Sequence, residues 1–226
     1  MHLLFIHGSF HGPWCWEPLL AHLPAGAPVT CAALAMDDAS IGLADHVKAL
    51  ADTLSMLSDH ALFIVAHSYA GMVLPAALKH AGVTPLATVF FDAFVPEQGD
   101  SAFDLLGPMA ETVRASAAAG ILPPPPPQAF GIEEAEQVAW CADKLRPMAL
   151  ATHEDKATVG AMQVTLGHPI YLRCTLFPGF AMMETRAEIA GWALWHINAA
   201  HDAMITAPQE LAAILTDLMD AVRPDA

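Results

Sequence analysis

Three residues spaced widely along the chain have the side-chain types needed for acyl transfer: Ser68, Asp92 and His201. A serine hydroxyl is a weak nucleophile until a base takes its proton. That base needs a third group to fix its tautomer and stabilise the imidazolium. Ser68 sits in the stretch Ala61–Leu74, ALFIVAHSYAGMVL, where a short apolar run leads into His67-Ser68-Tyr69 and an apolar, alanine-rich segment follows. The run reads as a buried strand and its sequel as a helix. A serine on the sharp turn between them is lifted above the end of a sheet. Such turns usually read Gly-x-Ser-x-Gly, because strand and helix pass close to the turn, but here both flanks are alanine, Ala66 and Ala70. This stretch alone leaves a catalytic serine and an ordinary strand-to-helix turn both open.

The elements that would position these residues follow from the apolar pattern. Strands are expected at residues 3–6, 29–34, within the opening of ALFIVAHSYAGMVL, and at 86–91, 170–175 and 193–197. Helical spacing covers residues 41–57 behind the cap-like cluster Asp37-Asp38-Ala39-Ser40, then 69–80, 181–190 and 208–222. Pro75 should weaken or kink the second of these. Between Pro96 and Gly167 no clean strand is apparent, only helix-like pieces near 101–106, 110–119 and 133–145, with the stiff run Pro123–Pro127. Strand alternating with helix in this way argues for a mostly parallel, six-stranded sheet with helices on both faces, an α/β class. The interruption is too long for a plain loop, so the chain is divided into a core, residues 1–95 and 168–226, and a helical lid, residues 96–167. In such sheets ligands bind where strands deliver their carboxyl ends. There the sequence places His7-Gly8, Ser68, Asp92 and the run Asn198–Asp202.

Composition excludes several alternatives. Of 226 residues 55% are hydrophobic and only 15% charged, ample for a large core, and no apolar run approaches the length of a membrane span. The formal charge of −15 disfavours nucleic acid and anionic lipid surfaces as partners. The four cysteines are far apart and read as free thiols. The twelve histidines show no zinc-type spacing; His7 and His11 straddle Gly8 in a loop rather than on a helix face, so no metal and no cofactor is expected. MHLLFIHG carries no basic leader, which gives a cytoplasmic expectation.

The segments His7–Trp16 (HGSFHGPWCW), Ala66–Gly71, Phe91–Pro96 (FDAFVP), His201–Met204 and Pro208 together resemble a compact α/β-hydrolase of the group containing plant methylesterases, hydroxynitrile lyases and bacterial esterases. The resemblance spans nearly the whole chain and is loosest over residues 96–167. It implies an α/β-hydrolase fold, Ser68 as nucleophile, His201 as general base and then acid, and an oxyanion hole from the backbone N–H groups of Ser9 and Tyr69.

The acid departs from the plant pattern. Those enzymes carry an aspartate after the penultimate strand in a Cys-Thr-x-Asp motif, whereas this chain reads Cys174-Thr175-Leu176-Phe177. Asp92 is the expected substitute, with Glu184 as the alternative; Asp202, next to His201 in sequence, is poorly placed to reach the far ring nitrogen. Hydroxynitrile lyases of the group carry a threonine after the first histidine and a lysine after the catalytic one, and this chain has Gly8 and Asp202. Ester hydrolysis is therefore expected over lyase chemistry, with a cofactor-free dioxygenase or a hydrolase-like small-molecule receptor as the other readings. The expected ligand is a small hydrophobic carboxylic ester, in an apolar pocket lined by Phe10, Trp14, Phe94, Phe103, Met109, Trp140 and Met204. A homodimer is left open.

Overall fold

The apolar runs of the sequence become strands of one sheet in the computed structural model, which describes residues 1–223. Among these residues the strands are β1 (His2–Ile6), β2 (Val29–Ala32), β3 (Leu62–His67), β4 (Ala87–Phe91), β5 (Ile121–Leu122), β6 (Met148–Ala149), β7 (His168–Cys174) and β8 (Ala193–Ile197). Six form a sheet in the order β2-β1-β3-β4-β7-β8, and every neighbouring pair is parallel. The helices are α1 (Glu17–Leu20), α2 (Leu43–Met56), α3 (Ala70–Ala81), α4 (Ala102–Leu105), α5 (Met109–Ala115), α6 (Ala135–Ala142), α7 (Ala151–Glu154), α8 (Ala181–Ile189), α9 (Ala203–Thr206) and α10 (Pro208–Ala221). None of them is long and apolar enough to cross a membrane.

Both faces of the sheet are covered because its central strands are apolar on both sides. On β3, Leu62, Ile64 and Ala66 join a core with Leu50 and Leu54 of α2 and Val73, Leu74 and Ala77 of α3. The alternate residues Phe63 and Val65 join a second core with Trp16, Leu19 and the α10 residues Leu211, Leu215 and Leu218. The period-two alternation of side chains along a strand thus sorts each residue to one helical layer.

Several local expectations are corrected. The second strand stops at Ala32, opposite Ile6, and the Leu34 N–H instead donates to His7 Nε2 at 3.0 Å. Helix α2 starts behind Gly42 rather than in the Asp37–Ser40 cluster, because Asp45 accepts from Gly42 N–H and Asp155 from Leu43 N–H. Helix α3 continues through Pro75, whose missing N–H would face the Gly71 carbonyl. Between β4 and β7, strands β5 and β6 form a small antiparallel pair, Ile121 opposite Ala149, too short to show a hydrophobic period. The proline run does not stay extended throughout: Pro126 is extended, and Pro127 opens a 3₁₀ turn over Pro127–Phe130.

Candidate active site

The parallel register brings the chemistry to one edge. Ile6 lies beside Ala66 and His67 beside Phe91, so the residues just past β1, β3 and β4 leave the sheet side by side. Ser68 has φ 55°, in the left-handed region that side chains with a Cβ avoid, at a cost of roughly 1–2 kcal/mol. The strain is held by backbone hydrogen bonds: Ser68 N–H donates to Phe91 O at 3.3 Å, and Ser68 O accepts from Gly71 N–H and Phe94 N–H, both at 3.1 Å. Phe10 (φ 66°) and Asp92 (φ 40°) share this conformation, so three of the five non-glycine residues with positive φ sit at this edge. Both elbow alanines are fully buried without needing to be glycine. The close approach is instead at Gly71, where a Cβ would lie 2.0 Å from Phe94 O, and at Gly8, where it would lie 2.7 Å from Ser68 Cβ.

Asp92 is fully buried, and its Oδ2 accepts from His201 Nδ1–H at 2.7 Å. This contact fixes the histidine tautomer with Nε2 free. Asp92 Oδ1 accepts from Cys174 N–H at 3.2 Å and lies 3.5 Å from the guanidinium of buried Arg173. Arg173 in turn donates to the carbonyls of Cys174 and Phe177. Glu184, the alternative acid, does not reach His201; it is bonded to the exposed His196 and stands 3.8 Å from Arg173 Nε. Phe177, where the plant pattern has its aspartate, stacks on the His201 ring with centroids 4.7 Å apart, and Phe180 stacks at 5.0 Å and 4°.

The loop after β1 is pinned from beneath by two histidines. His7 accepts from Leu34 N–H and donates from Nδ1 to Gly8 O at 2.9 Å; burial pushes its pKa down to about 3, so the ring is neutral. His11 faces acceptors on both sides, Ser9 O at 2.7 Å and Asp202 Oδ2 at 2.8 Å. Burial, the largest effect, works against charging His11, but the Asp202 charge and the two hydrogen bonds outweigh it and raise the pKa. Asp202 is therefore the partner of His11. Neither Ser9 N–H nor Tyr69 N–H has a protein acceptor among the described residues. These are the two donors expected to face an oxyanion.

Ser68 and His201 line one cavity of about 140 Å³, together with Ser9 and the aromatic residues Phe10, Phe94, Phe130, Phe177 and Phe180. A larger depression of about 580 Å³ between Pro96 and Arg186 contains neither Ser68 nor His201. Of the expected lining residues, Phe10, Phe94 and Met109 are present. The others are displaced by their own packing. Trp14 and Trp140 stack on each other edge to face at 5.1 Å, Phe103 lies behind His153 under the Arg114 guanidinium, and Met204 is buried in the α10 core. Tyr69 turns its ring inward and places its hydroxyl 3.1 Å from His46 Nδ1. Sequence reasoning passed over Arg173 and His153. A charged residue inside the apolar run IYLRC was a readable signal for the first; nothing around His153 distinguished the second.

One trio among the described residues, His67, His201 and Asp202, places possible metal-ligating atoms within 4.8 Å of one another. His67 Nε2 already faces the His201 carbonyl at 3.2 Å, and Asp202 already holds His11. His67 Nδ1 and Asp202 Oδ1 are left buried without a hydrogen-bond partner among the described residues.

With this geometry in place, comparison with known proteins gives the same frame. The sequence matches the alpha/beta hydrolase family over residues 3–222, and the chain belongs to that family. It is 26% identical to the "Carbendazim hydrolyzing esterase" of Nocardioides sp. (strain SG-4G) over 95% of this chain and 98% of that protein. It is 36% identical to "Methylesterase 4" of Arabidopsis thaliana, in a match covering 42% of this chain and 40% of that protein. Among solved structures, an extracellular alpha/beta-hydrolase from a Paenibacillus species superposes with a TM-score of 0.82 at 17% identity, over 96% of this chain and 98% of the other. Tomato methylketone synthase I, as the H243A variant with beta-ketoheptanoate, also gives 0.82, at 18% identity over 98% of both chains. At such identities the structural likeness speaks for the fold.

Proposed function

We propose that this chain is a serine esterase that cleaves a small, hydrophobic carboxylic ester through an acyl-enzyme on Ser68. The observation that carries the reading is the 2.7 Å contact between Asp92 Oδ2 and His201 Nδ1, in a histidine that shares its cavity with Ser68. In this mechanism His201 Nε2 takes the Ser68 proton as Oγ attacks the ester carbonyl. The tetrahedral oxyanion is met by the N–H groups of Ser9 and Tyr69, a pair of donors whose loss costs about 10²–10³ in turnover each in comparable sites. His201 then protonates the leaving alcohol, and the same nitrogen activates the water that releases the acid. Asp92 holds the ring and stabilises its charged form.

The relatives named above as an esterase and a methylesterase support ester hydrolysis. A cavity of about 140 Å³ supports a modest acyl or alkoxy group, since roughly 150 Å³ of apolar space accommodates a benzene ring. Leu106, Met109, Val113, Pro125, Ala129 and Phe130, all from the segment between β4 and β7, also line the cavity, and residues 96–167 are read as a lid on that basis. Lyase chemistry is disfavoured because Gly8 has no room for a side chain and Asp202 is committed to His11.

The test is labelling by a fluorophosphonate probe together with p-nitrophenol release from short-chain esters. Both should occur in the wild type and both should vanish in Ser68→Ala. Oxygen consumption that survives Ser68→Ala would instead mark a dioxygenase, and ligand binding without turnover a receptor.

A further inference from the structure

Ser9 and His153 form a second serine–histidine contact on the wall of the same cavity, with Ser9 Oγ 3.0 Å from His153 Nε2. The direction of this hydrogen bond can be read from its surroundings. Thr152 Oγ1 donates its proton to Ala149 O at 2.7 Å, so only its lone pairs face His153 Nδ1, 2.9 Å away. Nδ1 therefore carries the ring proton. The ring is sandwiched by Tyr69 at 5.2 Å and 12° and packed by Phe10 and Phe103, and burial pushes its pKa down to about 4. A neutral ring protonated at Nδ1 has a bare Nε2, and Ser9 must donate to it. The Ser9 hydroxyl proton is thus spent on the segment between β4 and β7, and what Ser9 Oγ retains for the cavity is acceptor capacity alone.

We infer that Ser9 Oγ is a specificity determinant, a fixed hydrogen-bond acceptor that selects esters carrying a hydroxyl donor on the carbon next to the scissile carbonyl. The distance scale follows from the residue itself: the N–H proposed to meet the oxyanion and this Oγ belong to one side chain and its own backbone. A polar spot in a largely apolar pocket fixes orientation and discriminates between near-isosteres. His153 acts through Ser9 and is a positioning residue. The inference rests on the esterase reading for its substrate, but the direction of the Ser9–His153 bond stands without it.

The experiment compares methyl mandelate with its O-methyl ether, which keeps the ring and oxygen but lacks the donor. It reads the ratio of kcat/KM for the two within each protein, so any general loss in a variant cancels. The wild-type ratio should exceed that of Ser9→Ala by about tenfold, the discrimination expected of one well-placed neutral hydrogen bond. In His153→Phe the Ser9 hydroxyl loses its acceptor and is free to donate, so the ratio should fall to the Ser9→Ala value or below it. Equal ratios in wild type and Ser9→Ala would overturn the inference, as would a ratio that survives His153→Phe in a protein with a wild-type fluorophosphonate rate. If neither ester is turned over by the wild type, the esterase reading is still decided by the fluorophosphonate label and the p-nitrophenyl esters. The inference is then judged by calorimetric binding of mandelate against its O-methyl ether, where equal affinities in wild type and Ser9→Ala sink it.

Discussion

Phe177 lies against the face of the His201 imidazole, with ring centroids 4.7 Å apart and 29° between planes. The resemblance to the plant enzymes puts a carboxylate at this position. In this chain the position packs the histidine rather than hydrogen-bonding it, and the in-plane partner comes from the neighbouring strand end as Asp92. Separating the two tasks between two strands leaves the ring held from its edge by an acceptor and from its face by Phe177 and Phe180.

The acid assignment is open to a direct comparison. Asp92→Asn should lower kcat by about 10³–10⁴ while the protein remains folded, because an amide cannot hold the tautomer or offset the imidazolium charge. Glu184→Gln should stay within about threefold of wild type, since the Glu184 carboxylate pairs with His196 and Arg173 rather than with His201. Turnover of p-nitrophenyl butyrate checks both, and the reverse ranking would reassign the acid.

Arg173 is expected to matter for stability through its hydrogen bonds. Its guanidinium donates to the Cys174 and Phe177 carbonyls and neighbours the fully buried Asp92. Removing one partner of a buried pair leaves the other charge uncompensated, so Arg173→Met should cost about 3–5 kcal/mol. Urea denaturation followed by tryptophan fluorescence would measure the loss. Arg173→Lys should recover part of it, because an ammonium keeps the charge but not the planar fork.

The elbow makes a prediction against the usual motif. Gly71→Ala should damage folding or activity severely, because its Cβ would lie 2.0 Å from Phe94 O and the loop after β4 carries Asp92. Ala66→Gly and Ala70→Gly, which restore the common Gly-x-Ser-x-Gly spelling, should leave kcat within about twofold and cost roughly 0.5–1 kcal/mol in stability. Expression, melting temperature and initial rates of the three variants decide this. A rise in kcat with the restored glycines would show that the alanines hinder the turn.

Much of this arrangement was legible because β-strands of four to seven residues leave a clear apolar trace, and parallel sheets put ligands at their carboxyl ends. Ser68, Asp92 and His201 could be found by looking just past Ala66-His67, Phe90-Phe91 and Ile197. The wall of the cavity was legible only at Phe10, Phe94 and Met109, and the rest was not, for a different reason in each region. Trp14 and Trp140 look like pocket residues by type, yet a large aromatic satisfies itself equally well against another. His153 sits in a four-residue helix of a segment with no hydrophobic period, and its role depends on Thr152 and Ala149 bonding in a particular direction. Hydrogen-bond polarity of this kind is a property of three-dimensional neighbours. Composition and spacing carry no trace of it.

The buried histidines set a pH dependence for stability. His7 and His153 are pushed by burial to about 3 and about 4, and burial also lowers His46 and His67. An unfolded histidine binds a proton near pH 6.5, so between that value and the depressed folded values the unfolded state holds more protons. Stability from these groups is complete above about pH 6.5 and is lost as the pH falls toward 4. For His153 alone the loss by pH 4 is on the order of 3 kcal/mol. His11 has the opposite sign: its raised pKa contributes stability that is full below about pH 6.5 and is lost as the pH rises through the raised value. The folded state should therefore be most stable near neutrality, with the steeper fall on the acid side, where the histidines with lowered pKa, His2 among them, act together. Urea midpoints at pH 7.5, 6.5 and 5 would trace the curve. In His153→Phe the midpoint should change less between pH 7.5 and pH 5 than in the wild type, because one titrating group has gone. An unchanged acid slope in that variant would mean that His153 already binds its proton in the folded protein.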